Sequence, residues 1–298
     1  MSQLPGLVDQ PIWWLAIAVL GLIVGIIGGM FGIGGNFLLI PVLTALFRVP
    51  LPIAVGTALC QIIGTGVSSL RRHHKQKNGE IRIDWLMLVG GLFGASVGSQ
   101  LFSTLAAGGN VTIFGYTTSL VKFTVSTIYI VLLGGVAVWM MYDSRSGAKI
   151  PTVGAGPLTR HGIGPKVWLP NLKIRIAALT GAYLGLALGF LSGLVGMGGG
   201  VILMPILIYG FGMGVRMAAG TGIFVLICSA AVATASHAWQ GHVHLGLAVT
   251  LLLGSTIGAP LGANFTLNVE PRRLRRIFAW MVLLTALSVI WDLVRTLK

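Results

Sequence analysis

The sequence is poor in charge. Only 9% of its 298 residues are Asp, Glu, Lys or Arg, against roughly a quarter in an ordinary soluble protein, and this excludes a water-soluble globular domain. Acid is scarcer still: six Asp and Glu stand against 20 Lys and Arg, for a formal charge of +14. Such a balance invites a nucleic-acid-binding reading, which the placement of the charges must support or remove. Cysteine is limited to Cys60 and Cys228, each inside an apolar run, so neither a disulfide framework nor a CxxC metal site is available. The first ten residues hold Asp9 and no Lys or Arg; without a basic start, the apolar run that follows reads as a retained membrane span rather than a secretory leader. No G-X-Y period accompanies the 44 glycines, so collagen is excluded and close helix packing or broken helices remain.

What is present in abundance is apolar sequence, 55% of the chain. Stretches long enough to cross a hydrocarbon core of ~30 Å, about 20 helical residues, recur near 12-31, 52-70, 84-105, 120-142, 174-192, 215-236, 245-265 and 277-296. Two shorter ones, 36-47 and 200-211, each follow a glycine cluster and read as half-helices or re-entrant pieces. A polar stretch, 143-173, divides the chain.

The two halves repeat each other. Sliding by 164 residues lays LGLIVGIIGGMFGIGGNFLLIP (20-41) on LGLALGFLSGLVGMGGGVILMP (184-205), so that Gly21, Gly25 and Gly29 meet Gly185, Gly189 and Gly193. Gly32, Gly34, Gly35 and Pro41 fall on Gly196, Gly198, Gly199 and Pro205, and further on Gly56, Thr57 and His73 meet Gly220, Thr221 and His237. Beyond these, an offset of 160 pairs Gly94 and Gly98 with Gly254 and Gly258, as if a small deletion intervened.

Basic residues concentrate in three places: 71-82, the central loop with its flanks, and Arg272 to Arg276. The counterpart of 71-82 in the second half, HAWQGHVH (237-244), has no Lys or Arg, and 106-118 has none where the other half reads RRLRR. Cytoplasmic loops are the basic ones, so equivalent loops belong on opposite membrane faces. The expected fold is an all-α polytopic membrane protein of two inverted-topology repeats, each a half-helix hairpin plus three spans. The first repeat takes residues 1-142 and the second 174-298, joined by a cytoplasmic linker at 143-173 into one integral membrane domain with both termini outside. Topology accounts for most of the positive charge, and nucleic acid is rejected as a partner.

Gly32, Gly34 and Gly35, and Gly196, Gly198, Gly199 and Gly200, stand where a span gives way to a half-helix. Glycine permits positive φ and close backbone approach, so each cluster can present N–H groups at a helix start carrying about half a positive charge. Two such starts aimed at the bilayer midplane make an anion site without ionic side chains. Glu80, Asp84, Asp143 and Glu270 fall at or beyond span ends and Asp292 sits in the last turns of the final helix, so a cation site is disfavoured. Asn36 at the first half-helix and Thr57, Gln61 and Thr221 in the following spans are candidate hydrogen-bond partners for the anion. Ser96, Gln100, Ser229 and Ser255, with Cys60 and Cys228, are candidate pathway-lining residues. His73-His74 and the string His237, His242, His244 read as helix-end caps at the interface rather than metal ligands, and no cofactor, metal or catalytic group is expected.

The motifs GGMFGIGGNFLLIPVL and SGLVGMGGGVILMPIL, the Gly-Thr pairs at 56-57 and 220-221, and the His-containing segments after them resemble the sulfite exporter TauE/SafE family of bacterial membrane permeases. Asn36 departs from the pattern where many relatives have a third glycine. The resemblance implies a secondary transporter of the inner membrane, not an enzyme, exporting a small anion such as sulfite, an organosulfonate or a related sulfur oxyanion. The alternatives are an anion channel and a permease for small carboxylates or other anions without sulfur. The bilayer and the small anion are the expected partners.

Overall fold

Among the described residues of the computed structural model, eight helical stretches are long and apolar enough to cross a membrane: Ile12–Phe31, Leu51–Lys75, Ile81–Ala107, Leu120–Asp143, Ala178–Val195, Val215–Trp239, Leu245–Asn268 and Pro271–Arg295. They match the eight expected spans in order and number. The structure describes residues 11-76, 78-113, 116-146, 156-160 and 162-296. Along them run α1 (Pro11–Phe31), α2 (Asn36–Ala45), α3 (Leu51–Lys75), α4 (Ile81–Ala107), strands β1 (Asn110–Ile113) and β2 (Tyr116–Ser119), α5 (Leu120–Ser146) and the single turn α6 (Pro157–Arg160). Then come β3 (Lys166–Leu169), β4 (Ile174–Ala177), α7 (Ala178–Val195), α8 (Gly200–Pro205) continued by a π-helical turn Ile206–Gly210, α9 (Val215–Gly220), α10 (Ile223–Trp239), α11 (Leu245–Asn268) and α12 (Pro271–Thr296). The protein is thus an all-α polytopic membrane protein. Its strands form two antiparallel hairpins in the loops, β1–β2 and β3–β4.

Two span boundaries depart from the sequence expectation. Residues 174-177 belong to the β3–β4 hairpin, so that span begins at Ala178. The stretch read as one span over 215-236 is broken between α9 and α10 at Thr221-Gly222, where Gly222 takes φ 91 as the residue before α10. The 164-residue counterpart of Gly222 is Ala58, inside an unbroken α3; Ala has no easy access to positive φ, and the helix continues. Of the central loop, residues 147-155 and 161 lie outside the described residues.

The helices are held together by glycine. In α1, Gly21, Gly25 and Gly29 lie against the backbone of Leu251, Ser255 and Ala259 in α11, and in α7 Gly185, Gly189 and Gly193 lie against Met87, Gly91 and Ala95 in α4. The partners return the arrangement: Gly254, Gly258 and Gly262 meet Ala18, Leu22 and Ile26, while Gly90, Gly94 and Gly98 meet Ala182, Leu186 and Phe190. Every contact in one list has its counterpart in the other at the same 164-residue offset. The 160 offset for the last helices is therefore corrected. Gly90, Gly94 and Gly98 answer to Gly254, Gly258 and Gly262, and a stripe repeating every four residues gave a false match after slipping by one turn. A stripe of this period lets backbones touch and brings van der Waals contact and Cα–H···O geometry that larger residues prevent.

The first helix of each half packs on a late helix of the other, so the halves interlock. The α5–α12 pair closes the bundle and is pinned at both ends. Lys122 pairs with Asp292 at 3.0 Å, and Arg275 donates to Asp143 Oδ2 at 2.9 Å with both side chains largely buried. Tyr209 Oη donates to the same oxygen at 2.7 Å, tying the end of the second half-helix to this clamp.

A Cβ placed on Gly25 would come 2.5 Å from Ser255 Cα, so Gly25→Val is expected to abolish a monodisperse folded species in size-exclusion chromatography. Gly134, with no neighbour within 4 Å of its Cβ position, supplies the control: Gly134→Ala leaves the profile intact and changes stability by no more than about 1 kcal/mol.

Candidate functional site: the junction of two glycine loops

Between α1 and α2 the chain reads Gly-Ile-Gly-Gly, and between α7 and α8 it reads Gly-Met-Gly-Gly. Gly32, Gly34 and Gly35 take φ of 68, 79 and 76; Gly196, Gly198 and Gly199 take 78, 76 and 68. Three left-handed residues within four positions end one helix and start the next while keeping the backbone thin, which only glycine does without strain. All of them are buried.

The two loops meet. Ile33 of the first lies against Gly198 and Gly200 of the second, and Asn36 Nδ2 donates to Gly196 O at 3.3 Å as well as to Ala58 O. The side chain of Ile62 in α3 touches both, 3.1 Å from a Cβ position on Gly34 and 2.6 Å from one on Gly198. Outer walls are exchanged reciprocally, Gly32 against Ala219 and Gly196 against Val55. Two helix starts, at Asn36 and Gly200, therefore open from one buried junction capped by Ile62. Their positive ends are unopposed by any ionised side chain among the residues just named.

Two orphan carbonyls of this break are answered by histidine. His73 Nε2 lies 2.9 Å from Gly29 O, and His237 Nε2 lies 3.0 Å from Gly193 O. A carbonyl accepts only, so each imidazole is the Nε2–H donor. It supplies the last turn of α1 or α7 with the partner that the glycine turn takes away. Both histidines are fully buried, not interfacial as their position at span ends suggested. His242 continues the second contact, its Nδ1 3.3 Å from His237 Nδ1, and burial pushes its pKa down. His244 does cap a helix, its Nδ1 accepting from Leu247 N at the start of α11.

The threonines are also structural ties. Thr57 Oγ1 accepts from His244 N at 3.2 Å, and Thr221 Oγ1 accepts from Glu80 N at 3.0 Å while donating to Met217 O. These two bonds are equivalent at the 164 offset and hold the entry to α11 and to α4. Gln61 donates to Thr65 Oγ1 at 2.6 Å one turn along its own helix. Its Oε1 and Asn36 Oδ1 are buried acceptors without a partner, so what these two amides leave unused is oxygen, while Asn36 Nδ2 is engaged by Ala58 O and Gly196 O.

The pathway candidates scatter. Ser229 and Ser255 are buried at the glycine seams, with Ser255 Cα against Gly25 and Ser229 Oγ near Gly91. Ser96 is half-buried, and Gln100 is exposed on α4, away from the buried face made by Gly94, Ala95 and Gly98. Cys60 and Cys228 are free and half-buried rather than enclosed. Cavities of about 360 and 370 Å³ stand at opposite ends of α3. One is lined by Arg48, Lys122, Asp292 and Arg295, the other by His74, Lys75, Asn78, Asp84 and Asn171. Sequence reasoning passed over Ile33 and Ile62, whose apolar character gives no signal, and over the burial of Glu80 and Asp84, each 1% exposed.

Comparison with known proteins finds that the family model described as "Sulfite exporter TauE/SafE" matches residues 17-289. The chain is 24% identical to "Probable membrane transporter protein YunE" of Bacillus subtilis over 94% of this chain and 98% of that one. It is 27% identical to "Probable membrane transporter protein YjnA" of the same organism, over 93% and 99%. "Probable membrane transporter protein MJ0441" of Methanocaldococcus jannaschii is 29% identical, over 87% and 88%. No solved structure matches.

Replacing His73 by Leu leaves Gly29 O buried without its donor, a loss of about 1–3 kcal/mol. The expected outcome is a lowered thermal midpoint in detergent, matched by His237→Leu; an unchanged midpoint in both would show that the carbonyls need no imidazole.

Proposed function

The chain belongs to the sulfite exporter TauE/SafE family and is a multi-pass membrane transporter, not an enzyme, and from that premise we propose that it exports a small anion bound at the junction of its two glycine loops. The anion is a sulfur oxyanion, sulfite or an organosulfonate. The observation that carries this reading is the single side chain, Ile62, lying across both Gly34 and Gly198: one small site faces two half-helix starts at once. Each start contributes roughly half a positive charge in a low-dielectric setting, and backbone N–H groups match the oxygens of a compact oxyanion. Gly32, Gly35, Gly196, Gly199 and Gly200 shape the two cradles. Asn36 and Gln61 supply amide N–H groups that turn from Ala58, Gly196 and Thr65 to the ligand, and Thr57 and Thr221 fix the helices around them.

Ile33 and Ile62 occupy the space between the cradles in the observed conformation. Transport then requires Ile62 to withdraw and the α1–α11 pair to shift against the α4–α7 pair, each seam kept intact, which is the behaviour of an alternating-access carrier rather than an open pore. The uneven placement of Arg and Lys supports a bacterial inner-membrane orientation with both termini outside and the 143-173 loop cytoplasmic. Reciprocal contacts at one offset support halves related by a two-fold, as inverted repeats are. An inside-negative potential then favours anion exit by about 2.3 kcal/mol per charge per 100 mV.

Purified protein in liposomes, offered sulfite, thiosulfate, sulfate, sulfonates and short carboxylates, is expected to move sulfur oxyanions with saturable kinetics and trans-stimulation. Ile62→Trp should lower that flux at least tenfold with an unchanged size-exclusion profile. Transport of a cation in place of every anion, or channel-like single-molecule currents, would overturn the reading.

A further inference from the structure

Of the six carboxylates in the sequence, five are described, and four of these have their charge or oxygens answered. Asp143 is bound by Arg275 and Tyr209, Asp292 by Lys122, and Glu270 faces Arg273 across 3.9 Å. Glu80 Oε2 accepts from Asn171 N at 3.0 Å. Asp84 is different. It is 1% exposed in the first turn of α4, its Oδ1 has no hydrogen-bond partner, and its carboxylate meets the Gly222 N–H at the start of the 17-residue α10. It also lines the 370 Å³ cavity, whose other walls are Leu70, His74 and Lys75 from α3, Asn78, Gly79, Ile81, Asn171 and Gly220. The 164-residue counterpart of Asp84 is Ala248, so only one end of the otherwise reciprocal structure carries this acid.

Resting on the anion-transport reading, we infer that this cavity is a vestibule for the transported anion and that its occupancy is linked to a proton on Asp84. Lys75 and His74, both exposed at its mouth, attract an anion. An ionised Asp84 at its floor repels one, and in a buried setting that repulsion is weakly screened. A proton taken from water onto Oδ1 removes the repulsion and turns an unpartnered acceptor into an O–H donor for the anion. When the anion leaves, the proton returns to water. The charged and titratable groups facing Asp84 are Glu80 at the head of its own helix, His74 and Lys75 from α3, and Cys228 from α10. Glu80 is tied to Asn171 and adds to the repulsion. By reciprocity, anion binding raises proton affinity as much as the proton raises anion affinity.

The test uses ethanesulfonate, which stays ionised throughout, titrated calorimetrically into the full-length protein between pH 5.5 and 8.5 in two buffers of different ionisation enthalpy. Wild type is expected to take up close to one proton per anion, with affinity rising as pH falls by up to about tenfold per unit, the ceiling for one linked proton. Asp84→Asn keeps an oxygen for the Gly222 N–H but cannot titrate; it should bind with affinity independent of pH and take up no proton. Asp84→Glu should restore the uptake. Binding by wild type that is flat with pH, or proton uptake undiminished in Asp84→Asn, would overturn the linkage while leaving the anion site standing. Failure of sulfonate, sulfite and every other anion to bind at any pH would overturn both.

Discussion

Backbone contact between helices is the constraint from which the rest of this structure follows. Inside a bilayer, apolar side chains gain nothing by leaving lipid for protein, so helices associate through close packing and hydrogen bonding. Here Gly21, Gly25 and Gly29 bring α1 onto α11, and Gly185, Gly189 and Gly193 bring α7 onto α4, with the partner helices answering with glycines of their own. No side chain of any size fits between these backbones. Because each pair joins opposite halves, the bundle coheres through two cross-half seams, α1 with α11 and α4 with α7. Pairs packed this closely let the chain support backbone that would otherwise be too costly in a membrane.

That costly backbone is the pair of glycine loops. A helix broken at membrane depth exposes carbonyls on one side and N–H groups on the other, and lipid offers neither a partner. His73 and His237 answer carbonyls of Gly29 and Gly193, and Asn36 answers that of Gly196 while also holding Ala58 O in the unbroken α3. Three of these four ties serve the carbonyl side of a break. The N–H side, at the starts of the two half-helices, is where an anion is useful, and the asymmetry between a well-braced carbonyl side and an anion-seeking N–H side gives the proposed function its physical basis.

Much of this was legible in the sequence, for reasons that can be named. Span positions follow from hydropathy and the bilayer's thickness. The half-helices follow from apolar stretches too short to cross, and the repeat follows from glycines that no other residue can replace. The same glycines misled the alignment of α4 with α11, since a four-residue period matches itself after slipping by one turn. Buried polar roles were the least legible. His73 and Asp84 stand near span ends, where sequence alone suggests solvent, and only the fold shows the first buried under α1 and the second beneath the start of α10. Thr57 and Thr221 suggested ligand groups because they recur, and in the fold each also holds the first turn of a helix from the opposite half.

Charge completes the picture by being kept to the ends. Asp143 with Arg275 and Asp292 with Lys122 fasten opposite ends of α5 and α12, leaving the glycine junction to partial charges alone. The most direct test of that arrangement is to locate the bound anion using selenite, an anomalously scattering analogue of sulfite, in crystals of the protein. A selenium peak within hydrogen-bond reach of the backbone N–H groups around Gly34 to Asn36 and Gly198 to Gly200, with Ile62 displaced, is the predicted result. A peak confined to the basic cavity of Arg48 and Arg295, with the junction closed by Ile62, would contradict the account.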